Sequence, residues 1–367
     1  MSARHLYIHV PFCTRRCAYC DFAIAVRRNV PVDDYLRGVA LELDERSAAI
    51  GSELETLYLG GGTPSRLGSD GVARLLDAVR NRHAIADDAE VTIEANPEDV
   101  AREHVAAWKS AGVNRVSLGV QSFSDTVLAW MHRVHSAEES RRAVDALREG
   151  GMTNFSLDLI FALPPEIERD WNRDLDEALE LHPPHISLYG LTVEPFTPLA
   201  RWQSRGTVTE GSEDSYAAEF LLADRLAASR GYRHYEVSNF AIPGNEARHN
   251  SAYWTGAEYV GIGPSAHSFD GSTRSWNVGA YNDWLGRLAV EKSTVEGNEM
   301  LDAGNRAAER VYLGLRTDRG LKAGTLDLEQ ARKWSDAGWA RLEGDVVKLT
   351  PEGWLRLDSL AAGLTGF

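Results

Sequence analysis

Three cysteines, Cys13, Cys17 and Cys20, are the only ones in this 367-residue chain, and they stand in C-x3-C-x2-C spacing with Tyr19 beside the last of them. Three thiolates on one short loop can hold three irons of a [4Fe-4S] cluster and leave the fourth iron open to an outside ligand, so the spacing points to chemistry at that iron more than to electron storage. Two other readings are weaker. Disulfides are disfavoured by the odd count and the missing fourth partner. Structural zinc would need a fourth ligand, for which His9 is a nearby candidate, but zinc sites usually draw paired ligand blocks from two chain segments. The apolar run at the start is too short for a secretory segment, so a reducing, cytoplasmic setting is expected.

Other residues could serve the same site. Gly60-Gly61-Gly62 is followed by Thr63-Pro64. Residues without Cβ let the backbone approach a ligand and expose amide and carbonyl groups, here to the amino group of a small zwitterion. Glu94 is placed to accept from ribose hydroxyls, and Gln121, Arg133 and Asp158 to add polar contacts. Downstream, His249-Asn-Ser-Ala-Tyr253-Trp254 joins an imidazole, which ligates haem iron well, to aromatic rings that pack on a porphyrin face. His249 and Tyr253 are four apart and on a helix would share one face. His267 is a second, weaker candidate for haem.

The elements that must position these residues alternate. Strands are expected at His5–Val10, 56–59, 91–95, 116–120, 155–160 and 186–191, each short and aliphatic. Helices are expected between them at 32–50, 71–83, 97–111, 137–149 and 169–181, from apolar spacings of three and four such as Tyr35, Val39, Leu43. Repeated strand–helix alternation predicts an α/β fold with a parallel sheet and outer helices, a partial and open (β/α)6 barrel, with chemistry at the C-terminal strand ends. Polar and glycine-rich residues do collect there. Three parts are expected: the barrel with its cysteine loop over 1–205, an α+β extension with the His249 motif over 206–298, and a small winged-helix-like tail over 299–367. The tail expectation rests on helices near 303–315 and 326–337 and β-like residues 346–349.

Composition narrows the classes. With 39 Lys+Arg against 54 Asp+Glu, the net charge of −15 argues against non-specific nucleic-acid binding, through the tail or elsewhere. No apolar stretch approaches the length of a membrane span.

Taken together, the cysteine spacing, Gly-Gly-Gly-Thr-Pro, Glu94 and Leu118-Gly-Val-Gln-Ser-Phe123 resemble the radical S-adenosylmethionine superfamily, in its oxygen-independent coproporphyrinogen oxidase-like branch. The resemblance covers nearly the whole chain. It implies that Cys13, Cys17 and Cys20 hold the cluster and that S-adenosylmethionine chelates the open iron. Tyr7, Gly61 and Glu94 match positions that contact this molecule. Tyr19, Gly62, Thr63, Gln121, Arg133 and Asp158 match positions that contact a second one in the oxidase. Two features depart from the oxidase: Cys20-Asp21-Phe22 replaces its Cys-Gly-Cys, and only twelve residues precede Cys13. Both are similar to the branch's haem chaperones, as is the H-N-x-x-Y-W match at 249–254. That resemblance implies haem as cargo, touched by His249 and Tyr253, and its transfer to apo-proteins such as membrane respiratory enzymes; family members can dimerise. The alternative is oxidative decarboxylation of coproporphyrinogen III by a 5′-deoxyadenosyl radical. No catalytic residue is assigned.

Overall fold

The six apolar stretches become six parallel strands: β1 His5–Val10, β2 Glu53–Gly61, β3 Ala84–Ala95, β4 Arg115–Gln121, β5 Phe155–Phe161 and β6 His185–Gly190. The computed structural model describes residues 2–322 and 328–365. The strands pair in chain order. Parallel neighbours need crossovers, and helices Val32–Glu45, Gly68–Arg80, Arg102–Ser110, Ala137–Glu149 and Trp171–Glu180 supply them.

Some boundaries differ from expectation. The first helix ends at Glu45 rather than residue 50, because Ile50 leaves it to bridge Ala3. The helix expected over 97–111 is split: a 3-10 turn Pro97–Asp99 precedes Arg102–Ser110, with Val100 and Ala101 extended between them. Ser65 Oγ donates to Asp99 at 2.7 Å and holds that break. A short helix, Asp125–Trp130, has no counterpart among the expected elements. The helix expected over 326–337 is seen as Leu328–Asp336; residues 326 and 327 lie outside the described residues.

Period-two alternation sorts every strand into two faces. Leu6, Ile8 and Val10, Leu57 and Leu59, Val91 and Ile93, Val116 and Leu118, Leu157 and Leu159, and Ile186 and Leu188 are buried under the helices. Their neighbours take the opposite face: Tyr7 and His9, Tyr58, Glu94, Ser117 and Gln121, Asp158, Tyr189. The register keeps these together, pairing Tyr7 with Tyr58, Glu94 with Ser117, Ser117 with Ser156 and Asp158 with Ser187.

Residues 206–298 extend the same sheet at both edges, giving twelve strands among the described residues. On one side Asn239–Ala241 and Arg233–Glu236 add to β6 antiparallel. On the other Tyr259–Ile262 joins β1 parallel, followed by antiparallel His267–Phe269, Thr273–Asn277 and Val295–Met300. The tail carries a three-stranded sheet in the order 321–322, 346–349, 340–343. Trp354 donates to the Leu315 carbonyl of the tail's own first helix at 2.9 Å and meets His234 of the large sheet at 4.3 Å between ring centres.

One buried carboxylate locks the β1 edge. Glu42 accepts from the Gly263 amide (2.8 Å), Asn277 Nδ2 (2.6 Å), Trp284 Nε1 (2.7 Å) and Thr294 Oγ1 (2.8 Å). Burial pushes its carboxyl above the usual range while these donors oppose that shift. Gly263, at φ +102, has no room for a Cβ, which would lie 2.5 Å from the His9 carbonyl oxygen. Glu42→Ala takes the shared acceptor from four buried donors, of which Asn277 and Thr294 keep a second partner, and is expected to lower the urea-unfolding free energy by roughly 2–4 kcal/mol. Leu41→Gln, on the exposed face of the same helix, is expected to change it by less than about 0.5 kcal/mol. Equal effects would show that the network is not what holds this edge.

Candidate functional site

The C-terminal strand ends converge on a cavity of about 510 Å³. Cys13, Cys17, Tyr19, Cys20, Gly61, Gly62, Thr63, Glu94, Gln121, Arg133 and Asp158 all line it. Tyr7 does not; it lies one step along β1, stacked on Tyr58 with ring centres 6.1 Å apart, and lines a neighbouring cavity.

The cysteine loop leaves β1 at Pro11 and is closed by a two-residue parallel ladder of Phe12–Cys13 with Ala25–Val26. Cys13 Sγ lies 3.5 Å from Thr63 Oγ1, and Arg133 Nη1 reaches Cys17 Sγ at 3.6 Å. Arg133 is itself fixed by Asn96 Oδ1 (2.7 Å) and the Gly119 carbonyl (2.8 Å). Burial pushes the Cys13 thiol up and the Cys20 thiol up to about 11, so metal ligation must release protons here. His9 cannot complete a zinc set as it stands. Its Nε2 meets the Ala23 carbonyl at 2.9 Å, its Nδ1 meets Tyr7 Oη at 3.1 Å, and burial lowers its pKa to about 4. Among the described residues no group of three or more His, Cys, Asp or Glu side chains is arranged to hold a single metal ion.

The triple glycine is needed for close packing, and two of its amides are committed within the protein. A Cβ on Gly61 would lie 2.5 Å from the His9 ring, and one on Gly62 would lie 2.7 Å from Pro11. The Gly61 amide donates to Glu94 Oε2 (2.9 Å) and the Gly62 amide to the Val10 carbonyl (2.8 Å), so neither is offered to a ligand. Glu94 also accepts from Tyr58 Oη at 2.9 Å, and burial raises its pKa to about 7. Asp158 accepts from Ser117 (2.6 Å) and Ser156 (3.1 Å), and burial raises its pKa too. The rim is strained. Gln121, His132, Ala162 and Phe196 are non-glycine residues at positive φ, and the register slips between Leu118 and Gln121, a bulge that re-aims Gln121.

His249 is where expectation needs correction. It does share a helix face with Tyr253, on Arg248–Trp254, but that face turns inward. His249 is 1% exposed; Nδ1 meets Thr56 Oγ1 at 2.7 Å and Nε2 meets Tyr253 Oη at 2.8 Å. Both ring nitrogens are occupied, burial lowers its pKa to about 3, and it offers haem iron no ligand atom in this structure. Instead it stacks on Tyr58, ring centres 5.0 Å apart, and Tyr58 holds Glu94. Tyr253 and Trp254 do reach a cavity, the one that Tyr7 lines.

Sequence reasoning missed Tyr58, Asn96 and Tyr189, all lining the cavity beside the cysteine loop. For the two tyrosines a signal existed: each has the strand parity opposite to the buried aliphatic set, Leu57 and Leu59 beside Tyr58, Ile186 and Leu188 beside Tyr189.

The raised Glu94 pKa has a signed consequence. Between its ordinary value of 4.5 and about 7 the folded state holds a proton that the unfolded state has lost. The stability this proton contributes is full below pH 4.5 and disappears as pH rises through about 7. Relative to Glu94→Gln, the ligand-free wild type is expected to lose about 2–3 kcal/mol between pH 4.5 and pH 8, read from urea midpoints. A constant difference between the two proteins would refute the shift.

Known proteins share this architecture. Residues 7–178 match the family model of the radical SAM superfamily. The chain is 39% identical over 368 residues to the heme chaperone HemW of Mycobacterium tuberculosis, covering 98% of this chain and 94% of that one. It is 42% identical to HemW of Escherichia coli over 71% of this chain and 69% of that one, and 34% identical to HemW of Bacillus subtilis over 86% and 84%. The solved coproporphyrinogen III oxidase HemN of Escherichia coli, a radical SAM enzyme, superposes with a TM-score of 0.83 at 21% identity over 99% of this chain and 90% of that one, a likeness of fold. With relatives matched end to end above 30% identity, this chain belongs to the HemW family of the radical SAM superfamily.

Proposed function

We propose that this chain is a haem chaperone. It holds a [4Fe-4S] cluster on Cys13, Cys17 and Cys20, binds S-adenosylmethionine beside it, and carries haem to apo-proteins such as respiratory enzymes. The observation that carries this reading is the likeness to heme chaperones across 98% of the chain. On this reading residues 1–205 serve cluster and cofactor, 206–298 contribute the haem-facing wall, and 299–367 form a partner-facing tail. The setting is cytoplasmic. Among the described residues no helix is long and apolar enough to cross a membrane.

The residues suit that chemistry. When bound, the cluster supplies an open iron that takes the amino and carboxylate groups of the methionine end. Arg133 sets a positive charge beside Cys17, with Nη1 3.6 Å from its sulfur. Each Glu94 oxygen holds one internal donor and keeps a lone pair free for a ribose hydroxyl. Tyr7 acts from behind Tyr58 rather than from the cavity wall. Tyr19, Gly62, Thr63, Gln121, Arg133 and Asp158 line the remaining space, where the resemblance puts a second S-adenosylmethionine in the oxidase. Phe22 stands where the oxidase has a further cysteine, and this weighs against the decarboxylase reading despite the shared fold.

Anaerobic reconstitution is expected to load about four irons per chain, and Cys17→Ser to lose them. Titrating the reconstituted wild type with haem, with and without S-adenosylmethionine, is expected to show one haem per chain. Absence of haem uptake together with propionate-to-vinyl conversion of coproporphyrinogen III would replace the chaperone reading with the oxidase one.

A further inference from the structure

Given the haem reading, on which this inference rests, we propose that haem docks in the aromatic cavity beside the cluster cavity and that His267 ligates its iron. The cavity measures about 580 Å³, within the range of roughly 300–1,000 Å³ typical of ligand sites. Tyr253, Tyr259, Phe269 and Phe22 present rings to it. Asp21, Phe22 and Gly61 line both cavities, so the two meet at the segment directly after Cys20. Phe22 is 57% exposed, an apolar ring held at the rim with half its surface uncovered.

Two histidines line this cavity, His9 and His267. Both His9 nitrogens are bonded within the protein. His267 opens the short strand His267–Phe269, paired between Tyr259–Ile262 and Thr273–Asn277, and shares a strand face with Phe269, two residues on. Its cross-strand partner Trp276 stacks on it, ring centres 6.0 Å apart and planes 29° from parallel, which steadies the imidazole without using a nitrogen. Its ring is partly exposed and makes no side-chain hydrogen bond among the described residues. Burial and Arg274 lower its pKa, favouring the neutral form that ligates metal. The loop leading to it is pinned at Gly263 by Glu42. Arg274 is ion-paired with Glu309, so affinity here rests on ring faces and the iron ligand rather than on a free cation for the propionates.

The test uses cluster-loaded protein, whose thiols are occupied, titrated anaerobically with ferric haem and read by absorption and electron paramagnetic resonance. Wild type is expected to take up one haem with a histidine-type spectrum. His267→Ala is expected to bind at least tenfold more weakly and to lose that spectrum, and added imidazole to restore it. His267→Met is expected to retain uptake with an altered axial-ligand signature, which keeps the test open if the alanine variant folds poorly. A wild-type spectrum in both variants would overturn the assignment and leave the chaperone reading standing. No haem uptake by the wild type would overturn both.

Discussion

The pleat of six parallel strands is the constraint on which the rest of this protein depends. Successive side chains on a strand point to opposite faces, so one parity must satisfy the helices and the other is left to do chemistry. Leu6, Ile8 and Val10 take the first role on β1, and Tyr7 and His9 take the second. The same division holds through β6. A one-residue slip in any strand would bury Glu94 or Asp158 under helices and turn a leucine into the cavity. The burial of the aliphatic set therefore fixes the register, and the register fixes the site.

Inside the sheet, the interior residues support one another in a chain of contacts. His249 stacks on Tyr58, Tyr58 donates to Glu94, and the Gly61 amide donates to the same carboxylate. The helix carrying His249 is in turn held by Glu90, whose carboxylate accepts from the amides of Arg248 and His249 at 3.0 and 2.8 Å. A motif from the extension thus packs at one end of the sheet while its effect is delivered at the other. This arrangement gives His249 a physical role without exposing it, and it leaves Tyr253 and Trp254 as the residues by which the motif meets the second cavity.

The two cavities give the family resemblance a physical form. One is lined by thiols and hydrogen-bonding groups and suits a cluster and a zwitterionic nucleoside. The other brings together the rings of Tyr7, Phe22, Tyr253, Trp254, Tyr259 and Phe269 and suits a flat apolar ligand. They share the residues that follow Cys20, so whatever orders that loop, a bound cluster above all, also shapes the wall of the second cavity. The likeness to HemN accounts for the scaffold, whereas Phe22 and the aromatic residues of the strands beyond β1 are features of this chain's own sequence.

Much of this protein is legible in its sequence alone. Cysteine spacing names the cluster loop because ligand chemistry depends on local spacing. Strand–helix alternation names the parallel sheet because amphipathic periodicity is also local. Glu94, Gln121, Arg133 and Asp158 are legible as polar residues at or near strand ends, and they do line one cavity. What sequence cannot decide is long-range. It places residues 206–298 after the barrel, but only hydrogen-bonding partners decide that they extend both edges of one sheet. It reads the triple glycine as backbone open to a ligand, but the close approach of His9 and Pro11 claims the space a Cβ would fill. It sets His249 and Tyr253 on one helical face, yet helical periodicity is silent on what that face meets. Thr56, nearly two hundred residues earlier, holds one imidazole nitrogen and Tyr253 the other. Residue types and spacing determined which chemistry is available here; packing between distant segments decided which of those groups are free to perform it.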